Sequence, residues 1–368
     1  MNGLMGRMQT YVLSRTLLGV GAALVVNASV IMLIDFVELS RTIGGRADLS
    51  FVQLFGLMLL KSPSTVLILL PFVFLFGTAG AFVTLNRGSE LVAMRAAGVS
   101  AWRFILPAAA AAFVIGVFTV AVLNPVTASL NARLESRRAE IQEGRSPGAA
   151  KEIWLRQGDQ NNQIVIRADS QDLVEETIRL KGVSLFVQNA SAKGGFEFSR
   201  RIEAAEARLM PGFWRLRDVR EALPGAGSVR SEELSIPSSL DRRLAMETFA
   251  TPEAIPFWLL PSTIEHAEEA GYSVAGYRLR LQQLLATPLL FTAMTVLAAA
   301  FSLRLTRLGG LLGLVGAGVA IGFVIFFLNQ FCGALGRAEV IPPFVAAWTT
   351  PVLALLAGVT LLCYTEDG

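Results

Sequence analysis

The sequence predicts an α-helical polytopic membrane protein of six transmembrane helices with an inserted all-β domain. Three observations lead there. Hydrophobic residues fill 53% of the 368 positions and charged residues only 17%, where a soluble domain carries about 25% charged. The apolar residues fall in blocks of about twenty or more, the length that crosses a hydrocarbon core. Between the third and fourth blocks, short alternating strings rich in Ile, Val and Phe replace the apolar runs.

The spans are expected at Thr16–Val37, Val52–Leu85, Ala101–Leu123, Tyr277–Leu303, Leu311–Phe331 and Phe344–Cys363. The first follows Arg7 and Arg15 and runs too long for the apolar core of a cleavable signal peptide. The second exceeds the usual length, so it should tilt, protrude or bend, and Pro63 and Pro71 offer bend points. After it comes "NRGSELVAMRAAGVSAWRF", from Asn86 to Phe104, which predicts a short helix over 86–98. Asn86 or Ser89 can cap its start, Glu90 suits the positive end of its dipole, and Gly98 can close it.

The chain divides into a first membrane half, 1–130, an inserted domain with its connecting helix, 131–272, and a second membrane half, 273–368. Basic residues of the short flanks set the orientation. Arg7, Arg15, Arg87, Arg95, Arg103, Arg304 and Arg307 share one side. Arg41, Arg46 and Arg337 share the other, offset by Glu38, Asp48 and Glu339. Positive residues stay inside, so both termini and the Asn86 segment are expected in the cytoplasm and the insert outside.

Within the insert, "KEIWLRQ", "QIVIRAD", "TIRLKGVSLFVQN", "FEFSRRIEAAEARL" and "FWRLRDVREA" suit an antiparallel β domain from Lys151 to Asp241. "TPEAIPFWLLPSTIEHAEEAGYS" reads as an amphipathic helix leading into span four. His266, the only histidine, sits there among Glu265, Glu268 and Glu269. A solvated helix face explains it better than a metal site, because no other His or Cys lies near to complete a ligand set. Cys332 and Cys363 fall near opposite ends of neighbouring blocks and read as packing residues.

Several chemistries are excluded. The only lysines are Lys61, Lys151, Lys181 and Lys193, none behind a phosphate-binding glycine loop. The chain is therefore no ordinary P-loop ATPase. A single histidine leaves no conventional triad, and the net charge of +3 suggests no nucleic-acid partner. Span interiors hold few ionisable groups beyond Asp35 and Lys61, which argues against an ion-driven pump. Lys61 can also be read as simply snorkelling to the outer interface. Small residues are spaced for close helix approach: Gly19 and Ala23 on span one, and Gly309, Gly313, Gly316, Gly318 and Gly322 at or along span five.

Taken in order, these strings resemble a family. Three spans, a β insert and three spans are the arrangement of the LptF/LptG permeases of lipopolysaccharide export. "LIDFVEL", "RGSELVAMRAAGVS", "IWLR", "IRLKGVSLF", "FWRLRDV", "TPLL" and "GFVIFFLNQF…IPPFVAAWTTP" stand at family-like places, and the resemblance covers essentially the whole chain. "ELVAMRAAGVS" and "DFVEL" are nearer the LptG branch.

The resemblance implies a permease subunit of an ABC transporter in the inner membrane of a bacterium, with a periplasmic jellyroll-like domain that receives lipid. The implied partners are a second, LptF-like permease, an LptB-like ATPase dimer that binds the ATP, an LptC-like single-span protein, a periplasmic bridge and lipopolysaccharide itself. On that resemblance the chain is expected to need no cofactor of its own and to be no enzyme itself. The helix after span two becomes the coupling helix, with Arg87, Glu90, Leu91, Met94 and Arg95 meeting the ATPase, helped by Val92. An interfacial helix binding anionic lipid is the bland alternative. Candidate head-group cations are Arg41, Arg46, Lys61, Arg133, Arg137 and Arg138. Asp35 departs from the family pattern, since some relatives place a basic residue there. Gly19, Ala23, Gly313, Gly316 and Gly318 are expected to line a lateral gate or helix-packing seam. A lipoprotein-release permease and a non-transporting membrane sensor are the rival readings, and six spans count against the first.

Overall fold

A computed structural model of the chain describes residues 2–44, 50–143, 153–158, 162–174, 177–190, 196–210, 212–223, 227–238, 252–269, 274–305 and 311–366. It separates into two compact units. One comprises 1–138, 256–258 and 278–368, the other 139–255 and 259–277.

Among the described residues the first unit holds six helices long and apolar enough to cross a membrane. Helix α1 covers Asn2–Leu39 and ends in a π-helical turn, Ser40–Gly44. Helix α2, Phe51–Arg87, opens with a capping box: Ser50 Oγ accepts from the Gln53 amide, and Gln53 Oε1 accepts from the Ser50 amide. It remains one helix through Pro63 and Pro71. At about 1.5 Å per residue its 37 residues reach about 55 Å, well beyond a hydrocarbon core of about 30 Å. The short α3 is Glu90–Ala96 and α4 is Ala101–Phe118. A π-helical turn, Thr119–Leu123, joins α4 to α5, Asn124–Glu143, so the third span continues well past the Leu123 expected from hydropathy.

Three more spans complete the unit. Helix α7 is Ala275–Leu305, α8 is Leu311–Arg337 and α9 is Pro343–Glu366; α6 belongs to the other unit. Packing is closest where glycine removes a side chain. A Cβ at Gly19 of α1 would stand 2.5 Å from the Gly77 carbonyl oxygen of α2, and one at Gly116 of α4 would stand 2.5 Å from Pro288 Cα of α7. Helix α7 is the most enclosed span, with 67% of its apolar window buried, whereas α1 has 11% and α8 has 22%. Spans one and five therefore present the most uncovered apolar surface.

Among the described residues the second unit is built on six strands: β1 Ile153–Gly158, β2 Asn162–Val174, β3 Thr177–Ala190, β4 Phe196–Met210, β5 Phe213–Ala222 and β6 Val229–Pro237. Each pairs antiparallel with its sequence neighbour in one sheet. The insert is thus an up-and-down meander, and among the described residues it makes none of the Greek-key crossings that define a jellyroll. Strand β6 was not evident from hydropathy because only Leu234 and Ile236 turn inward from it. Among the described residues the sheet's core is formed by the strands around the fully buried Trp214, with Leu180, Leu185, Ile202 and Leu216 among its members.

The sheet carries a crease. Inward residues fall in two phases: Leu185 and Val183 of β3 align with Ile202 and Ala204 of β4 and Val219 of β5, whereas Leu180 aligns with Ala207 and Leu216, and Leu209 with Trp214, one residue out of phase. The slips fall at Gly182, Ala205 and Asp218, which face one another because the register is the same on either side of them. Gly182 and Asp218 have φ of 59° and 52°, the left-handed region that Gly adopts freely and Asp tolerates better than most residues. All three strands take the irregularity at one level, so pairing survives while the sheet bends.

Helix α6, Leu260–Glu269, buries Leu260, Thr263, Ile264 and Ala267, an i, i+3, i+4, i+7 stripe. His266 lies exposed on its other side between Glu265 and Ala267, as the solvated-face reading expects. Cys332 is buried, but Cys363 is exposed rather than packed.

Candidate functional site

The segment that interrupts the spans is a helix anchored on one face and open on the other. Helix α2 ends at Arg87 and α3 begins at Glu90, leaving two residues to turn the chain. Ser89 occupies the cap position with φ of 57°, and its side chain makes no capping bond, contrary to the expectation for it. Glu90 stands in the first turn, where the unpaired amides favour its charge.

The far end is closed as predicted. Gly98 sits at φ of 81°, its amide donates to the Arg95 carbonyl (2.9 Å), and the Val99 amide donates to the Met94 carbonyl (3.1 Å). This paired closure is a Schellman motif, and Val99 packs beside Met94 in the same apolar cluster.

The five predicted coupling residues divide into two groups. Leu91 is 1% exposed and Met94 8%, and both lie in a core with Val12, Phe82, Phe104 and Leu303. They hold the helix to the membrane unit and are not available to a partner, which corrects the expectation that they dock. Arg95 is half-buried and its Nη2 donates to the Thr365 carbonyl at 3.0 Å, at the C-terminal end of α9. A cation there meets the negative end of the helix dipole, so Arg95 too acts as a tie within the chain.

Arg87 is exposed and Glu90 half-exposed. Between them rises an apolar strip that spacing alone underrated. Val92 is 59% exposed, and Ala93, Ala96 and Ala97 stand open beside it. The signal for this face was present in the sequence as small residues at i, i+1, i+4 and i+5 from Val92, opposite the bulky pair Leu91 and Met94. A rigid helix with a shallow apolar strip and flanking charges can seat in a groove of another protein and carry force between the spans it joins.

The predicted head-group cations are scattered. Lys61 does not stand free: its Nζ lies 3.0 Å from Asp35 Oδ1 and 2.7 Å from Glu38 Oε2. Asp35 is 2% exposed, and its Oδ2 is buried without a hydrogen-bond partner among the described residues. Asp35 thus ties span one to span two. Ser64, one turn beyond Lys61, donates to Asn131 Oδ1 of α5 at 3.1 Å, which brings α5 to the same level. Arg133 and Arg137, further along α5, are exposed, Arg138 is half-buried, and Arg41 is exposed on the π-helical turn after α1. Arg46 lies outside the described residues.

The small residues also divide. Gly19 is filled by α2, and Ala23 packs partly buried in the adjoining core, so both serve contacts within the chain. On α8, Gly322 meets Leu75 and Phe72 of α2, and Gly318 approaches only Phe76 at 3.9 Å. Gly316 faces open space. Of Gly313 only its place in the first turn of α8 is described.

Comparison with known proteins agrees with this architecture. The chain is 24% identical over 301 residues to the lipopolysaccharide export system permease protein LptG of Escherichia coli strain K12, covering 78% of this chain and 79% of that protein. The LptG of Escherichia coli O6:H1 matches to the same extent. The family model "Lipopolysaccharide export system permease LptF/LptG" matches residues 10–364, so from the first span to the last turn of α9 this chain belongs to the LptF/LptG family.

Proposed function

We propose that this chain is the permease subunit of an ABC transporter that extracts lipopolysaccharide from the outer leaflet of the bacterial inner membrane. A separate ATPase dimer supplies the energy, a second LptF-like permease completes the path, and a periplasmic bridge, together with an LptC-like single-span protein, receives the lipid. The carrying observation is α3, which is anchored through Leu91 and Met94 and open along Val92, Ala93 and Ala96. A helix fixed this way transmits displacement, whereas a solvated loop would absorb it. Both termini and α3 then lie in the cytoplasm and the β unit in the periplasm, in line with the basic flanks.

On this reading Arg41, Arg133 and Arg137 attract the acidic head group, and the Lys61–Asp35–Glu38 cluster shapes the seam between spans one and two. The uncovered surfaces of α1 and α8 suit contact with the second permease, and Gly316 leaves room for its helix. Gentle purification of the tagged chain, with mass spectrometry of the proteins and lipids retained, tests the reading. Recovery of an ATPase and of lipopolysaccharide is expected; recovery of neither contradicts it and favours a non-transporting sensor.

A further inference from the structure

The outward face of the β-sheet carries a cleft of about 340 Å³ at the crease, within the size range of small-molecule sites. One cross-strand row through it reads Arg167, Ser184, Glu203, Arg220, Arg230, each the direct partner of the next. The adjoining row reads Asp169, Gly182, Ala205, Asp218 and includes the three residues at which the alternation slips. Small residues, Gly182, Ser184 and Ala205, lie between charged ones, so the cleft has a shallow floor and a charged rim.

The charges of that rim are unequally satisfied. Arg167 stands 3.4 Å from Asp169, Arg230 stands 2.9 Å from Asp218, and Arg201 pairs with Glu203. Arg220 is exposed and forms no ion pair among the described residues. Its direct cross-strand neighbour is Arg230, and like charges so placed repel. An anion seated between these two guanidiniums would remove the repulsion and gain charge-assisted hydrogen bonds. A bare phosphate, however, would also meet the carboxylates of Asp218, which already accepts from Arg230, and Glu203, with Asp169 further along the same rim. Those oxygens accept hydrogen bonds from hydroxyl groups instead, so the rim fits a ligand with one anionic group and several hydroxyls.

We propose that this cleft binds an anionic saccharide, with Arg220 and Arg230 holding its phosphate or carboxylate and Asp169 and Glu203 accepting from its hydroxyls. The proposal rests on the permease reading only for the source of that saccharide, which is either the sugar portion of the exported glycolipid or a soluble sugar phosphate.

The test is calorimetric titration of the full chain in detergent, without partners, using glucose 1-phosphate, inorganic phosphate and glucose as probes. Glucose 1-phosphate should bind at least about tenfold tighter than either of the others, and Arg220→Ala should weaken it by about tenfold. Arg220→Ala should leave thermal unfolding unchanged, since its side chain is exposed and forms no ion pair among the described residues. Ala205→Phe, which fills the floor, should abolish binding. Displacement of glucose 1-phosphate by purified lipopolysaccharide assigns the site to the glycolipid, and absence of displacement assigns it to soluble sugar phosphates. Equal affinity for phosphate and sugar phosphate, or binding indifferent to Arg220→Ala, overturns the proposal. Either failure leaves the permease reading standing, because that reading fails on recovery of ATPase and lipid.

Discussion

Leu91 and Val92 are neighbours in sequence with opposite duties, and replacing each separates anchoring from docking. Leu91 is 1% exposed within a cluster drawn from α1, α2, α4, α7 and α9. Truncating a fully buried Leu to Ala costs about 2–5 kcal/mol, from lost transfer energy and the cavity left behind. Helix α3 has only seven residues, too few to persist unsupported, so much of that loss should appear as local detachment. Even 2 kcal/mol raises the open population by about 30-fold.

The reporters are the amides of Ala93, Ala97, Gly98 and Val99, which donate to the carbonyls of Ser89, Ala93, Arg95 and Met94. Hydrogen exchange read by mass spectrometry over this peptide should accelerate by at least about tenfold in Leu91→Ala. Val92→Asp should leave exchange at the wild-type rate, because Val92 is 59% exposed, while reducing ATPase recovered with the chain. Exchange unchanged in Leu91→Ala, or raised as much by Val92→Asp, would refute the division of α3 into an anchored and an open face.

Other outcomes follow from the same contacts. Gly19→Leu sets a side chain against the Gly77 backbone and should lower the melting temperature of the purified chain, whereas Gly316→Leu meets open space and should leave it unchanged; if α8 contacts the second permease there, export fails while the chain stays stable. Lys61→Met leaves Asp35 buried and unpaired, costing about 3–5 kcal/mol, and Lys61→Met with Asp35→Asn should recover most of that in a thermal unfolding assay. Burial pushes the Glu206 carboxyl up, but the guanidiniums of Arg208 and Arg179 outweigh it and hold its pKa below the ordinary 4.5. A depressed carboxylate contributes stability that is present above its unfolded pKa and lost as pH falls through the folded one. Glu206→Gln should therefore lower thermal stability at pH 7 and flatten its decline below about pH 4.5.

Much of the membrane unit was legible in the sequence because hydropathy and length decide a span almost alone. The ends of α3 were legible too, since Gly98 closes it through a local motif. Which face of α3 packs was not, because Leu91, Val92 and Met94 are all apolar and only the tertiary core selects between them. Arg95 reads as a surface cation until α9 returns to place the Thr365 carbonyl beside it. Lys61 likewise looked free until the packing of α1 on α2 brought Asp35 to it.

In the β unit, alternation located the first five strands but could not show the slip at Gly182, Ala205 and Asp218. Each slip is only two successive residues left out of the core, and its meaning lies in being aligned with the other two. Strand β6 escaped notice for a related reason: an edge strand with little inward surface has a polar sequence.

The account turns on α3 passing the work of an ATPase into a lipid-moving membrane unit. The chain, reconstituted in vesicles with the proposed second permease and ATPase, should release lipopolysaccharide to a soluble acceptor only when ATP is hydrolysed. Val92→Asp should abolish release and lipid-stimulated hydrolysis together while the α3 amides remain protected. Release undiminished in Val92→Asp, at wild-type hydrolysis, would contradict the claim that this helix couples the two.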